Sequence, residues 1–101
     1  MKPYGSLKEG DVVYTLQFDE KNIGHIFQLP IKNVKEYDEH KIYFEVYNSS
    51  IDAIQQCVIE KNRRWGIYSP SIEGLQMYWK REIKRIFKRY KNAHNNEWVK
   101  R

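Results

Sequence analysis

The chain has 101 residues, 41% of them hydrophobic, 15% aromatic and 31% charged, with 18 Lys/Arg against 13 Asp/Glu and a formal net charge of +5. That length makes one domain, 1–101, with a single core, and the apolar share together with its regular periodicity excludes intrinsic disorder. No stretch approaches the ~20 apolar residues of a membrane span and no signal-peptide core follows the start, so the reading is a cytoplasmic protein without a membrane partner.

Charge divides along the chain. Residues 1 to 60 hold six Lys/Arg against ten Asp/Glu, and residues 61 to 101 hold twelve against three. Such asymmetry points to an anionic partner or to two mutually attracting parts of one fold.

In chain order, "DVVYTLQF" from Asp11 to Phe18 alternates, with Val12, Tyr14, Leu16 and Phe18 on one face and Val13, Thr15 and Gln17 on the other, which is a half-buried strand. Asp19, Asn22 and Gly24 supply a turn. "HIFQLPIKNVKEY" then reads as a long second strand, bent or bulged near Pro30, which removes a ladder donor. After the polar break "YDEH", the run "KIYFEVY" places Ile42, Phe44 and Val46 on one face and Tyr43, Glu45 and Tyr47 on the other. "NSSID" turns, "AIQQCVIE" forms a fourth strand around the lone Cys57, and "RWGIYS" forms a fifth. A single cysteine makes no internal disulfide, and its setting in "CVI" is that of a buried, inert thiol.

Ser69 followed by Pro70 reads as N-cap and first helical residue. Ile72, Leu75, Trp79, Ile83, Ile86 and Tyr90 then recur at helical spacing and form one stripe, bordered by Phe87 and predicted to bury against the strands. Opposite lie Lys80, Arg81, Lys84, Arg85, Lys88, Arg89 and Lys91, with Glu82 the sole acid among them. Seven like-charge pairs at i+3 or i+4 cost an isolated helix roughly 2 kcal/mol. Burying four large side chains at ~1.5 to 3 kcal/mol each outweighs that, so stability permits the basic face without explaining it. The expected architecture is α+β and mostly β. It consists of a five-stranded antiparallel SH3-like small barrel over about 11–69, a C-terminal amphipathic basic helix over about 70–92, and a tail, 93–101, whose Trp98 docks on the barrel.

The cationic face, with Arg63 and Arg64, suits phosphate binding. Tyr43 and Tyr47, with Arg63, Arg64 and Trp65, offer a stacking platform for unpaired bases or, more commonly in such sheets, cross-strand aromatic cover. His25, His40 and His94 lack zinc-site spacing, so neither metal nor cofactor is expected. Ser49, Ser50, Ser69 and Ser71 sit in turn or cap contexts, and the acidic pairs Asp19/Glu20 and Asp38/Glu39 sit in turns, which argues against an enzyme.

"KEGDVVYTLQFDE" resembles the first strand of small SH3-like barrels of phages and mobile elements of low-GC bacteria, through Gly10, Asp11, Val13 and Tyr14. Those chains often finish with a strand and a helix, as "RRWGIYSPSIEGL" does. The resemblance implies the fold and a phage-like origin, and no activity. The same start is similar to endoribonuclease toxins built on this barrel, whose early loop carries an Arg-Pro pair with a catalytic arginine. Here Leu29 precedes Pro30 and no arginine occurs before Arg63, which removes most of that case.

The expectation is a non-enzymatic binding module. The favoured partner is nucleic acid, held by its phosphates; the alternative is an acidic patch on a host protein, as for a phage-type inhibitor or adaptor. An exposed barrel edge also offers a route to a homodimer.

Overall fold

The computed structural model describes the backbone of residues 1–93 and the side chains of residues 1–85. A short 3-10 turn, Tyr4–Ser6, leads into β1 (Val12–Phe18), β2 (Gly24–Glu36), β3 (Lys41–Asn48), β4 (Ala53–Glu60) and one helix, α1 (Ile72–Ala93). The strands form an antiparallel sheet in the order β1-β2-β3-β4. The fold is therefore α+β and mostly β. No helix among the described residues is long and apolar enough to cross a membrane.

Alternation sorts the faces as strand geometry requires. Ile42, Phe44 and Val46 of β3 point into a core shared with Val13, Leu29 and Ile31, and the N-terminal turn adds Tyr4 and Leu7. The Tyr4 ring stacks on Phe44 at 6.0 Å between centroids, and its buried hydroxyl donates to the Tyr68 carbonyl. β1 has neighbours on both sides. Val13 and Thr15 face the core, whereas Phe18, on the opposite face, meets Trp79 of α1 edge-on with ring centroids 6.0 Å apart.

β2 serves both halves of the sheet. Residues up to Pro30 pair with β1, and Ile31 onward pairs with β3. Pro30 opposes Val12 at the changeover, and the N–H of Ile31 donates to the Asp11 carbonyl at 2.9 Å. The irregularity expected near Pro30 falls between Lys32 and Lys35, where Asn33 has φ 56°. Asparagine tolerates that left-handed conformation. The Glu9 carboxylate accepts the freed N–H groups of Asn33 and Val34 at 3.2 and 3.0 Å.

The sequence predicts a fifth strand over 64–69, and the described sheet has four. The segment after β4 spends its backbone elsewhere: the Arg63 and Lys61 carbonyls accept from Tyr4 and Gly5 at 2.8 Å each. Only Ser69 pairs with β1, through two bonds to Tyr14 of 2.7 and 2.8 Å. Gly66 is needed in this segment, since a Cβ there would overlap the Tyr4 hydroxyl.

That bridge also corrects the helix start. With its backbone committed to Tyr14, Ser69 does not cap α1. Ser71 does, its Oγ accepting the Gly74 N–H at 3.1 Å, and Pro70 precedes the cap instead of opening the helix. The buried side of α1 is also rotated from the predicted stripe. Gly74 and Leu75 are buried and Tyr78, Trp79 and Glu82 half-buried, whereas Ile72 and Ile83 are 40% and 62% exposed. The cause is the close approach at Gly74, where a Cβ would overlap the Arg64 carbonyl and the Ser69 hydroxyl. Trp79 Nε1 is buried without a hydrogen-bond partner among the described residues.

Candidate functional site

The approach at Gly74 brings the segment after β4 against the first turns of α1, so two stretches of basic sequence meet. Trp65 is the point of contact. The guanidinium carbons of Arg63 and Arg81 each lie 4.7 Å from its ring centre, and Tyr78 stacks beside it at 6.5 Å with 21° between planes. Each guanidinium over a ring contributes about 0.5 to 1 kcal/mol at an exposed site, enough to orient the arginines without removing their charge. Arg63 also lies 3.4 Å from Glu60, and Arg64 is tied to the chain's start through the Met1 carbonyl.

From this cluster the cations continue along α1. Lys80, Arg81, Lys84 and Arg85 are all exposed. Arg85 pairs with Glu82 of its own helix at 3.1 Å. Among the described residues, Lys80, Arg81 and Lys84 have no carboxylate within 4.0 Å, and no acid of the four strands reaches this part of the helix as an ion-pair partner. The acids of the sheet are engaged locally. Glu36 holds Lys61 at 3.0 Å, Asp19 holds His25 at 2.8 Å, and Asp11 holds Lys2 at 3.6 Å. The side chains of Lys88, Arg89 and Lys91, like those of Ile86, Phe87 and Tyr90, lie outside the described set, as do His94 and Trp98 altogether.

Tyr43 and Tyr47 are placed elsewhere. Both lie on the outer face of β3, opposite Val58 and Ile54 of β4. The Tyr43 ring carries Lys35 at 4.9 Å, and its hydroxyl donates to Glu45. The Tyr47 hydroxyl donates to Asp52. These bonds to carboxylates raise both phenol pKa values above the ordinary range, and the bonds from Tyr43 and Asn33 lower that of Glu45. A carboxylate at each tyrosine tip disfavours an approaching phosphate, and the ring that stacks beside Trp65 is that of Tyr78.

Sequence reasoning misses Tyr78, although one signal is there: it precedes Arg81 by three residues and so shares its helix face. Burial pushes the Cys57 thiol up to about 11, which keeps it protonated at neutral pH. Among the described residues, no three His, Cys, Asp or Glu side chains gather as metal ligands would.

Comparison with known proteins finds no family model, no curated protein and no solved structure that matches this chain.

Proposed function

We propose that this chain is a non-enzymatic accessory module that binds nucleic acid through its phosphates with low sequence preference. The observation that carries the reading is the junction at Trp65, where Arg63 from the sheet side and Arg81 from α1 converge on one ring while Lys80 and Lys84 continue the row without strand carboxylates near them. The sequence extends the row to Lys91, about 16 Å along the helix from Lys80 at 1.5 Å per residue, long enough to follow several phosphates. The rotation of α1 supports the same reading, because it turns Arg81 toward Trp65 and Tyr78 while leaving it exposed. The sheet is read as a small SH3-like barrel. The Tyr14 to Ser69 bridge and the bonds from the N-terminal turn to Lys61 and Arg63 support that, by tying the β1 and β4 sides together.

The test is a titration of labelled single-stranded and duplex oligonucleotides with the protein and with a variant reversing Lys84, Arg85 and Lys88. Loss of most of the affinity in the variant is expected, and unchanged binding overturns the reading. Affinity purification from the native host complements it. Recovery of nucleic acid supports the proposal, and recovery of one stoichiometric protein that nuclease treatment leaves in place contradicts it.

A further inference from the structure

The β1-β2 hairpin extends beyond the rest of the sheet as a two-stranded arm. Residues 18–28 are all exposed, and β2 gains its second neighbour only at Ile31. Two-stranded ribbons are marginal in water by themselves, yet this arm displays Phe18, Ile23, Ile26 and Phe27 at 56%, 54%, 49% and 42% exposure. Its face continues onto α1. Ile26 pairs with Leu16 on the side of the sheet that carries Phe18, and the Phe18 ring meets Trp79. Ile72 and Ile83, seven residues before Trp79 and four after it, flank that indole on the same side of the helix. Phe18, Ile26, Ile72 and Ile83 thus form one apolar surface running from sheet to helix, at exposures of 40% to 62%.

Charge indicates what covers it. The arm's tip carries Asp19, Glu20 and Lys21, a turn of net negative charge, and the helix flank beyond Ile83 carries Lys80 and Lys84. Asp19 is held ionised, chiefly by its bond to His25. Stacking helix on helix would set the lysines of two molecules against each other. Laying the arm of one molecule along the helix of another sets Asp19 and Glu20 opposite lysines, and a two-fold axis makes that contact twice. We propose that this surface binds a second copy of the chain, arm against helix about a two-fold axis, burying Phe18, Ile26 and Ile83 of both molecules. The proposal does not depend on nucleic-acid binding. It has a consequence for it, because the arm engages Lys80 and Lys84 and leaves the arginines of each copy to phosphates.

Sedimentation equilibrium of nucleic-acid-free protein, from about 1 μM to about 1 mM, tests it. A reversible monomer-dimer equilibrium is expected. Ile83→Asp, at a position already mostly in water, raises the dimer dissociation constant roughly tenfold or more. Far-UV circular dichroism verifies that the variant folds, and Ile26→Asp provides an independent substitution on the arm. Lys84→Glu and Glu20→Lys each weaken the dimer several-fold, and combining them restores it. A protein that stays monomeric throughout, a dimer indifferent to both aspartate variants, or charge reversals without mutual rescue overturns the proposal.

Discussion

The carbonyl oxygen of Arg64 occupies the place that a side chain at Gly74 would need. Everything distinctive about the candidate site depends on that approach, since it sets α1 close enough for Arg81 to reach Trp65.

Replacing Gly74 with alanine therefore opposes two effects. Alanine improves helix propensity by about 1 kcal/mol. Its methyl must displace a backbone carbonyl rather than the end of a flexible side chain, and overpacking of that kind costs about 1 to 3 kcal/mol or more. The steric cost is expected to win, giving a net destabilisation on the order of 1 to 2 kcal/mol in urea unfolding. Oligonucleotide affinity should fall as well, because the helix has to move away from Trp65. A more stable Gly74→Ala protein would show that the approach has room for a methyl group.

Much of the fold was legible in the sequence, and the remainder was hidden for identifiable reasons. The alternation in 41–48 gave β3 with its core face, because period two is a local property, whereas in β1 the core takes the Val13 and Thr15 face and the more apolar face looks toward α1. The irregularity expected near Pro30 is there, and its centre at Asn33 follows from the carboxylate of Glu9, about 25 residues away, which receives the freed N–H groups of Asn33 and Val34. The strand expected at 64–69 is irregular chain apart from the Ser69 bridge, because the Tyr4 N–H takes the Arg63 carbonyl just before it and the Tyr4 hydroxyl takes the Tyr68 carbonyl within it. The helix start moved from Ser69 to Ser71 because Tyr14 had taken the Ser69 backbone. In each case a local signal yielded to a partner distant in sequence. The purity of charge along α1 could be read directly, and the meeting of Arg63 with Arg81 could not.

Stability should decline on the alkaline side. Cys57 has its ordinary pKa of 9.0 pushed up to about 11 by burial, and Tyr4 is raised further by the same cause. For both groups the neutral form is favoured in the folded state. Their contribution is intact below the unfolded values of 9.0 and 10.0 and is lost as pH rises through the folded ones. Urea midpoints are expected to hold to about pH 9 and then fall as pH rises through about 11. Cys57→Ala lowers the starting stability by removing buried volume and flattens the first part of that decline. A midpoint that rises above pH 9 would contradict the assignment.

Tyr47 and Trp65 should separate by substitution. Tyr47→Ala removes a half-exposed ring whose hydroxyl already serves Asp52, and oligonucleotide affinity is expected to stay within twofold, about 0.4 kcal/mol. Trp65→Ala releases Arg63 and Arg81 from a shared platform and should weaken binding roughly fivefold to thirtyfold, the equivalent of about 1 to 2 kcal/mol. Trp65→Phe should retain part of it. Fluorescence anisotropy with one labelled strand measures all three, and equal losses at Tyr47 and Trp65 would return Tyr47 to the site.

The salt dependence of oligonucleotide binding tests the central claim most directly. If the cations of α1 and the Trp65 junction neutralise about five phosphates of a single strand, log K falls against log salt concentration with a slope near −3.5. Between about 50 and 200 mM salt that is a loss of roughly a hundredfold. A slope in that range, reduced in the variant reversing Lys84, Arg85 and Lys88, is the predicted result. Binding that is absent at the lowest salt, or that persists with a flat slope unaffected by the reversal, would contradict the account.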